Sequence, residues 1–452
     1  MRLTLRLAAK MVEDVDISKL SHLELVEHAK YLKQQIVSLQ GRINNLQGVS
    51  KDSKKARRSL DFSKFTRRRV SLKILYFGWD YNGLARQELN KQTIAEKVIE
   101  SFEKCRMLED ASTCSLAVCG RTDKGVSALS QVLTLILRSN VHSGIGVIAP
   151  EDKSMLYPEK PEIDYVLVGN RNLPADIRIL AWAPVPPEFT ARRSCLSRSY
   201  KYFFPASGLN LQAIRSAAKK FEGAHDFRNF CSSQVSNGVV NHERRILSVE
   251  LNVHDSSLPE GHPRQMCCLT FRGTAFLYHQ IRCMVSILLS IGRGLEQPAL
   301  IDSLLDIAKT PRKPQYEIAA PEPLVFCEPE YEGLEWQTSS AAREEIVKHI
   351  QRMWTEQAVR TTVVTHMLDR IEQDLFPECQ QNNYLWPVCH EAPVTPSRNR
   401  QPILKRSTEE SLEEKIKNYE NKKSRKEALL VKGDTDDQSL INESEYNSPF
   451  PQ

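Results

Sequence analysis

Strand-like and helical periods alternate twice over in this chain, and that order limits the folds open to it more than any single residue does. Leu72 to Trp79 reads as a strand. Thr93-Ile94-Ala95-Glu96 has the form of a capping box and opens a helix whose Ile94, Val98, Phe102 and Cys105 share one face; Gln131 to Arg138 then reads as a strand again. Further on, Tyr200, Tyr202 and Phe204 alternate along a strand, Leu211 to Phe221 carries a helical period, and Leu247, Val249, Leu251 and Val253 alternate once more. Leu277, Ile281, Met284, Leu288 and Ile291 follow at helical spacing and stop near Gly292 and Gly294. Two related α+β halves, residues 70–192 and 193–334, account for the recurrence. A chain of 452 residues, 41% of them hydrophobic, can bury a large core between them.

The flanks differ from this body. Leu25, Ala29, Leu32, Ile36, Leu39, Ile43 and Leu46 alternate steps of four and three, the a/d seam of a short coiled coil, which serves either to bind a partner or to lie against its own body. A basic cluster follows, Lys51, Lys54, Lys55, Arg57, Arg58, Lys64, Arg67, Arg68 and Arg69, within a net charge of +6. It suits a phosphate backbone or a nuclear-import receptor, and equally a solvated basic linker, so residues 1–69 read as coiled-coil helix plus linker. Ser340 to Phe376 is a helical stretch expected to pack on the body, within an extension spanning 335–391; from Ala392 the chain turns polar and charge-dense, the composition of a disordered tail over 392–452. No apolar run is long enough to span a bilayer, so no membrane partner is expected. Eleven cysteines, an odd number without a CxxC pair, read as reduced thiols, and neighbouring Cys267 and Cys268 would face opposite sides of a strand, so no metal is assigned. Arg2, Arg6 and Lys10 faintly suit a mitochondrial presequence, but Glu13, Asp14 and Asp16 follow at once, which weighs against import.

Between the first helix and the second strand lies Cys119-Gly120-Arg121-Thr122-Asp123-Lys124-Gly125-Val126-Ser127-Ala128. A carboxylate flanked by basic residues and bracketed by glycines builds a core poorly, but holds one charged group well at the mouth of a strand. On spacing alone, Asp123 reads as a turn or cap residue.

The wording of the segment decides otherwise, because it resembles the catalytic motif of the TruA-type tRNA pseudouridine synthases. The resemblance runs from about Ser71 to Glu328 and rests on further motifs in family order: Tyr76-Phe77-Gly78-Trp79-Asp80-Tyr81-Asn82-Gly83-Leu84-Ala85-Arg86-Gln87, Ser197-Arg198-Ser199-Tyr200-Lys201-Tyr202-Phe203-Phe204, Gly223-Ala224-His225-Asp226-Phe227-Arg228-Asn229-Phe230, and Phe271 to Met284 with Tyr278-His279-Gln280-Ile281-Arg282-Cys283. The form of the motifs is most similar to a eukaryotic branch acting on uridines 38 and 39 of the anticodon arm. Asp80 stands where relatives more often carry Gly, which concerns the shape of the neighbouring loop and not the catalytic motif.

This resemblance implies an α+β fold in which both halves share an extended, mainly antiparallel sheet with a central RNA-binding cleft. The implied substrate is the tRNA anticodon stem-loop, gripped by a homodimer, in nucleus, cytoplasm or both. The reaction breaks the C1′–N1 glycosidic bond, turns the base and joins C1′ to C5 without net redox change, so no cofactor is required. Asp123 would act as nucleophile on uracil C6 or ribose C1′, or abstract a sugar proton; these alternatives stay open. Such a carboxylate needs a cation to stay ionised, and Arg282 holds the family's matching position. Tyr200 would stack on the flipped base and relay the proton leaving C5. Arg121 would enter the place of the departed base or hold a phosphate, with Lys124 as a further substrate contact. His225 and Asp226, adjacent in sequence, are expected to shape the fold or touch RNA and not to catalyse. A non-catalytic tRNA-binding protein or chaperone using the same cleft is the alternative reading.

Overall fold

The computed structural model describes residues 60–150, 157–232, 241–253, 258, 262, 264–375 and 401–432. The heptad seam from Leu25 to Leu46 and the basic residues Lys51 to Arg58 lie outside the described residues.

In the first half, β1 (Thr66–Tyr76) pairs antiparallel with β3 (Ser127–Ser139), which also carries β2 (Ala117–Val118). β1 further pairs with β4 (Val147–Ile148) and β5 (Ile177–Pro184). α1 (Ile94–Lys104) and α2 (Tyr165–Asn170) belong to this half. Thr93 caps α1 as the sequence implies, its hydroxyl accepting from the Glu96 amide at 3.4 Å. Only half of the capping box forms, because the Glu96 carboxylate pairs with Arg86 at 2.6 Å. Ile94, Val98 and Phe102 are fully buried, so the expected apolar face is the buried one.

The second half holds β6 (Ser197–Pro205), α3 (Leu211–Lys219), β7 (Gly223–Asp226), β8 (Glu243–Val253), β9 (Met266–Gly273), α4 (Gln280–Gly292) and α5 (Ala299–Leu305). Gly292 permits the close approach of α3 and α4, since a Cβ there would stand 2.5 Å from the Ile214 Cδ1. β10 (Leu324–Glu330) joins the halves, parallel to β3 and antiparallel to β6. The result is a ten-stranded mixed sheet in the order β4-β1-β3-β10-β6-β9-β8-β7, with β2 and β5 attached to β3 and β1. One continuous apolar core runs across both halves, from Leu72 and Leu133 to Tyr202, Phe271 and Leu288.

Three expectations need correction. Arg67, Arg68 and Arg69 are not linker: β1 starts at Thr66, and the side chains of Arg68 and Arg69 are engaged, Arg68 with Glu162 at 2.8 Å and Arg69 with the Phe189 carbonyl. The alternation expected through Leu247 fails because a register shift between Ile246 and Ser248 turns Ile246 inward and leaves Leu247 41% exposed. The tail is not disordered throughout 392–452. Residues 401–411 lie against the body, with Ile403 buried, a bridge between Pro314 and Thr408, and Lys313 paired to Glu409 at 3.1 Å; α7 (Leu412–Lys432) follows.

The helical extension is α6 (Ser340–Arg370), continued by a π-helical turn over Ile371–Leu375. Its His349 Nε2 donates to the Ala175 carbonyl at 2.6 Å, and Asp369 and Glu372 both pair with Arg264. The rest of the helix leaves apolar side chains such as Trp354 (70% exposed) in solvent. No helix among the described residues is long and apolar enough to cross a membrane.

Candidate active site

The loop before β3 is fixed by hydrogen bonds to its backbone and to the Thr122 and Ser127 hydroxyls. The Gln131 side chain brackets Gly120, accepting from its N–H at 3.3 Å and donating to its carbonyl at 2.8 Å. Thr122 is held twice, its carbonyl accepting from the Leu84 amide at 3.1 Å and its hydroxyl lying 2.6 Å from the Tyr76 hydroxyl. Past Asp123, the chain turns through Gly125 at φ +83°, whose N–H donates to the Tyr81 carbonyl, and the Ser127 hydroxyl accepts from Gly78 N–H. Gly78 is there by steric necessity: a Cβ would lie 1.9 Å from the Val126 carbonyl oxygen. Asp123 thus projects from a segment whose backbone is pinned on both sides.

Its carboxylate faces the start of α4. Arg282 Nη1 lies 3.6 Å and His279 Nε2 3.5 Å from Oδ2, longer than direct hydrogen bonds, and the guanidinium is close enough for a strong electrostatic interaction. Arg282 is oriented from the other side, its Nε donating to the Ala319 carbonyl at 2.7 Å while the Ala319 amide donates back to the Arg282 carbonyl. Burial pushes the Asp123 carboxyl up to about 6, and Arg282 opposes that rise. His279 caps the helix with φ +60°, and its Nδ1 lies 2.9 Å from the Ser232 hydroxyl. Burial, helped by the charges of Arg282 and Lys313, holds its pKa down at about 3. It is therefore a neutral imidazole beside the carboxylate, not its counter-ion.

β10 brings the second half to this point. Phe326 is in register with Ala128 on one side and Tyr200 on the other, which sets Tyr200 beside the Asp123 loop. The Tyr200 ring meets Phe276 and Phe326 edge-on, with centroids 5.2 and 5.1 Å away, and its hydroxyl comes within 3.6 Å of where a Gly120 Cβ would stand. It is 9% exposed, and burial raises its pKa well above the ordinary tyrosine range.

Of the residues singled out in the sequence, Asp123, Arg282 and Tyr200 converge here. Arg121 is part-buried on the same loop, its Nη1 enclosed and without a hydrogen-bond partner among the described residues. Lys124 is exposed. His225 and Asp226 have local duties: His225 Nε2 lies 2.9 Å from the Glu222 carbonyl, and Asp226 binds Arg228 through both oxygens. His279 escapes the sequence reading, although its position three residues before Arg282 places the two on one face of a helix start, the signal that could have found it. Gln131 and the Tyr76–Thr122 pair leave no such signal, since Gln131 acts on the Gly120 backbone and Tyr76 meets the Thr122 hydroxyl only once the sheet is folded. No cluster of His, Cys, Asp and Glu able to hold a metal occurs among the described residues.

A family profile described as tRNA pseudouridine synthase matches residues 217–332, a segment that contains His279 and Arg282. The chain is 44% identical over 332 residues to the tRNA pseudouridine(38/39) synthase of Homo sapiens, covering 73% of this chain and 69% of that protein. It is 42% identical over 376 residues to the Mus musculus protein of the same name, covering 80% and 77%, and 33% identical over 380 residues to that of Saccharomyces cerevisiae, covering 83% and 81%.

Proposed function

This chain belongs to the TruA-type family of tRNA pseudouridine synthases, enzymes that isomerise uridine, and we propose that its substrates are uridines 38 and 39 of tRNA, the positions named for its relatives. The observation that carries the catalytic part of the proposal is a largely buried Asp123 carboxylate 3.6 Å from the Arg282 guanidinium, on a loop whose backbone is pinned on both sides.

In the isomerisation, the C1′–N1 bond breaks, C1′ joins C5, the C5 proton departs and N1 takes up a proton. Attack of Asp123 on C6, attack on C1′ and removal of a sugar proton all use the same ionised carboxylate. With its pKa near 6, Asp123 is mostly ionised at neutral pH, and Arg282 is the group that keeps it so. Tyr200 supplies an apolar face for the flipped base, and its raised pKa keeps the phenol protonated, suited to relaying a proton and not to standing as a base. Arg121 and Lys124 serve as RNA contacts. A homodimer gripping one tRNA belongs to the same proposal.

Purified protein incubated with an unmodified tRNA transcript, followed by chemical mapping of pseudouridine, tests this directly. The expected product is confined to positions 38 and 39. A transcript that binds tightly yet stays unmodified would favour a non-catalytic RNA-binding protein instead.

A further inference from the structure

Away from the carboxylate, the buried guanidinium of Arg198 fastens three segments at one point. Its Nη2 donates to the Arg192 carbonyl at 2.7 Å and the Cys119 carbonyl at 3.3 Å, and its Nη1 donates to the Thr274 carbonyl at 2.6 Å. The Thr274 amide in turn donates to the Arg245 carbonyl. One arginine thus draws together the chain just before Arg121, the turn carrying Arg192 and the stretch of β8 carrying Arg244.

The side chains gathered this way are cationic, and two of them are poorly satisfied. Arg121 Nη1 and Arg244 Nε are enclosed donors without a hydrogen-bond partner among the described residues. Among the described residues, Arg244 otherwise reaches backbone carbonyls, those of Asn241 and Glu243. No carboxylate pairs with Arg121, Arg192 or Arg244 among the described residues. Arg192 is close enough to both of the others for its charge to lower their pKa values, adding to the effect of burial. A cleft of about 430 Å³, lined among others by Arg244, Arg245, Thr274 and Glu243, opens here. Its lining includes Ala275, next in sequence to the Phe276 that packs on Tyr200. Guanidiniums grouped without counter-ions, with donors left over, need an anion to satisfy them, and planar forks match phosphate oxygens.

We propose that Arg121, Arg192 and Arg244 form one phosphate-binding surface that holds the RNA backbone beside the nucleotide presented to Asp123. The proposal rests on the reading that the chain acts on RNA, and it adds Arg192 and Arg244, neither of which stands in the catalytic motif. Arg198 is the positioning residue that assembles the surface.

The test is binding of an anticodon stem-loop RNA at several salt concentrations, together with steady-state kinetics, for wild type, Arg192→Gln, Arg244→Gln and the double variant. Each phosphate that is no longer neutralised should flatten the log–log salt dependence by about 0.7 to 0.9. Each single variant should weaken binding by about three- to tenfold, with the loss falling on KM and not on kcat. Arg192→Lys and Arg244→Lys should restore most of the slope, because an ammonium still neutralises a phosphate, whereas a merely structural defect would not follow charge. Arg192 is exposed, so its variants probe the surface even if Arg244→Gln destabilises the chain. Wild-type affinity and slope in the Arg192→Gln and double variants would overturn the proposal, as would lysine variants that behave like the glutamine ones. A wild-type protein that binds RNA with these slope changes but forms no pseudouridine would leave the phosphate surface standing and overturn the catalytic reading alone.

Discussion

Burial and Arg282 pull the Asp123 carboxyl in opposite directions, and burial wins, leaving it at about 6 against 3.8 for the free side chain. The folded chain therefore keeps a proton that the unfolded chain has already lost between those two values. The contribution of this group to stability is greatest below the window and falls as pH climbs through it, by up to ~3 kcal/mol, since each pKa unit corresponds to about 1.4 kcal/mol. Asp123→Asn removes that penalty. Its unfolding free energy in urea should exceed that of the wild type by ~1–3 kcal/mol near pH 8, with the gain vanishing toward pH 4; a gain independent of pH would show that the carboxylate is not strained by burial. Activity should rise with pH through about 6 as the carboxylate ionises. Arg282→Ala should move that rise to higher pH, because the group opposing the effect of burial is gone, and should lower the single-turnover rate without changing the salt dependence of RNA binding. A variant that flattens the salt dependence and keeps its rate would make Arg282 a backbone contact.

Among the elements, the exit of β1 and the segment over residues 401–411 hold the two sides of the site. Gly78→Ala would drive a Cβ into the Val126 carbonyl, backbone against backbone, and should cost about 3 kcal/mol or more in a denaturant melt while displacing Asp123. On the opposite side, Lys313 is 8% exposed and paired to Glu409, and the Gln315 amide donates to the Ser407 carbonyl, so this segment steadies the loop leading to Ala319, the partner of Arg282. Glu409→Gln should cost ~1–3 kcal/mol by leaving a buried ammonium poorly matched, and should slow turnover severalfold with RNA affinity unchanged. Equal stability and rate would show the segment to be incidental. Its polar composition reads as tail in the sequence; Ile403 alone supplies the buried apolar anchor, and one residue makes no period. Leu247 is misplaced by pattern for a related reason, since a bulge shifts the alternation of a strand without leaving a mark in its hydrophobic pattern. The periods of α1, β6 and α4 are legible because several residues agree on each face.

Across the whole molecule, two halves are joined through β10, which lies between β3 and β6 and thereby sets Tyr200 next to the Asp123 loop. The recurrence of strand, helix and strand is legible from spacing, but the order of strands is not, because pairing between distant segments depends on register that no local pattern encodes. At the site, the charged and aromatic residues stand out through a family motif, while the groups that orient them, Gln131, Thr122, Ala319 and Arg198, do so through contacts with backbone groups and are visible only once the chain is folded. The catalytic roles given to Arg282 and Tyr200 depend on Asp123 as the reacting carboxylate. Release of tritium from C5-labelled uridine in tRNA, followed under single turnover for wild type and Asp123→Asn at equal occupancy, tests it most directly. Wild type should release label and Asp123→Asn none, with RNA affinity changed by less than about tenfold, roughly 1.4 kcal/mol; label released by Asp123→Asn at a rate near wild type would contradict it.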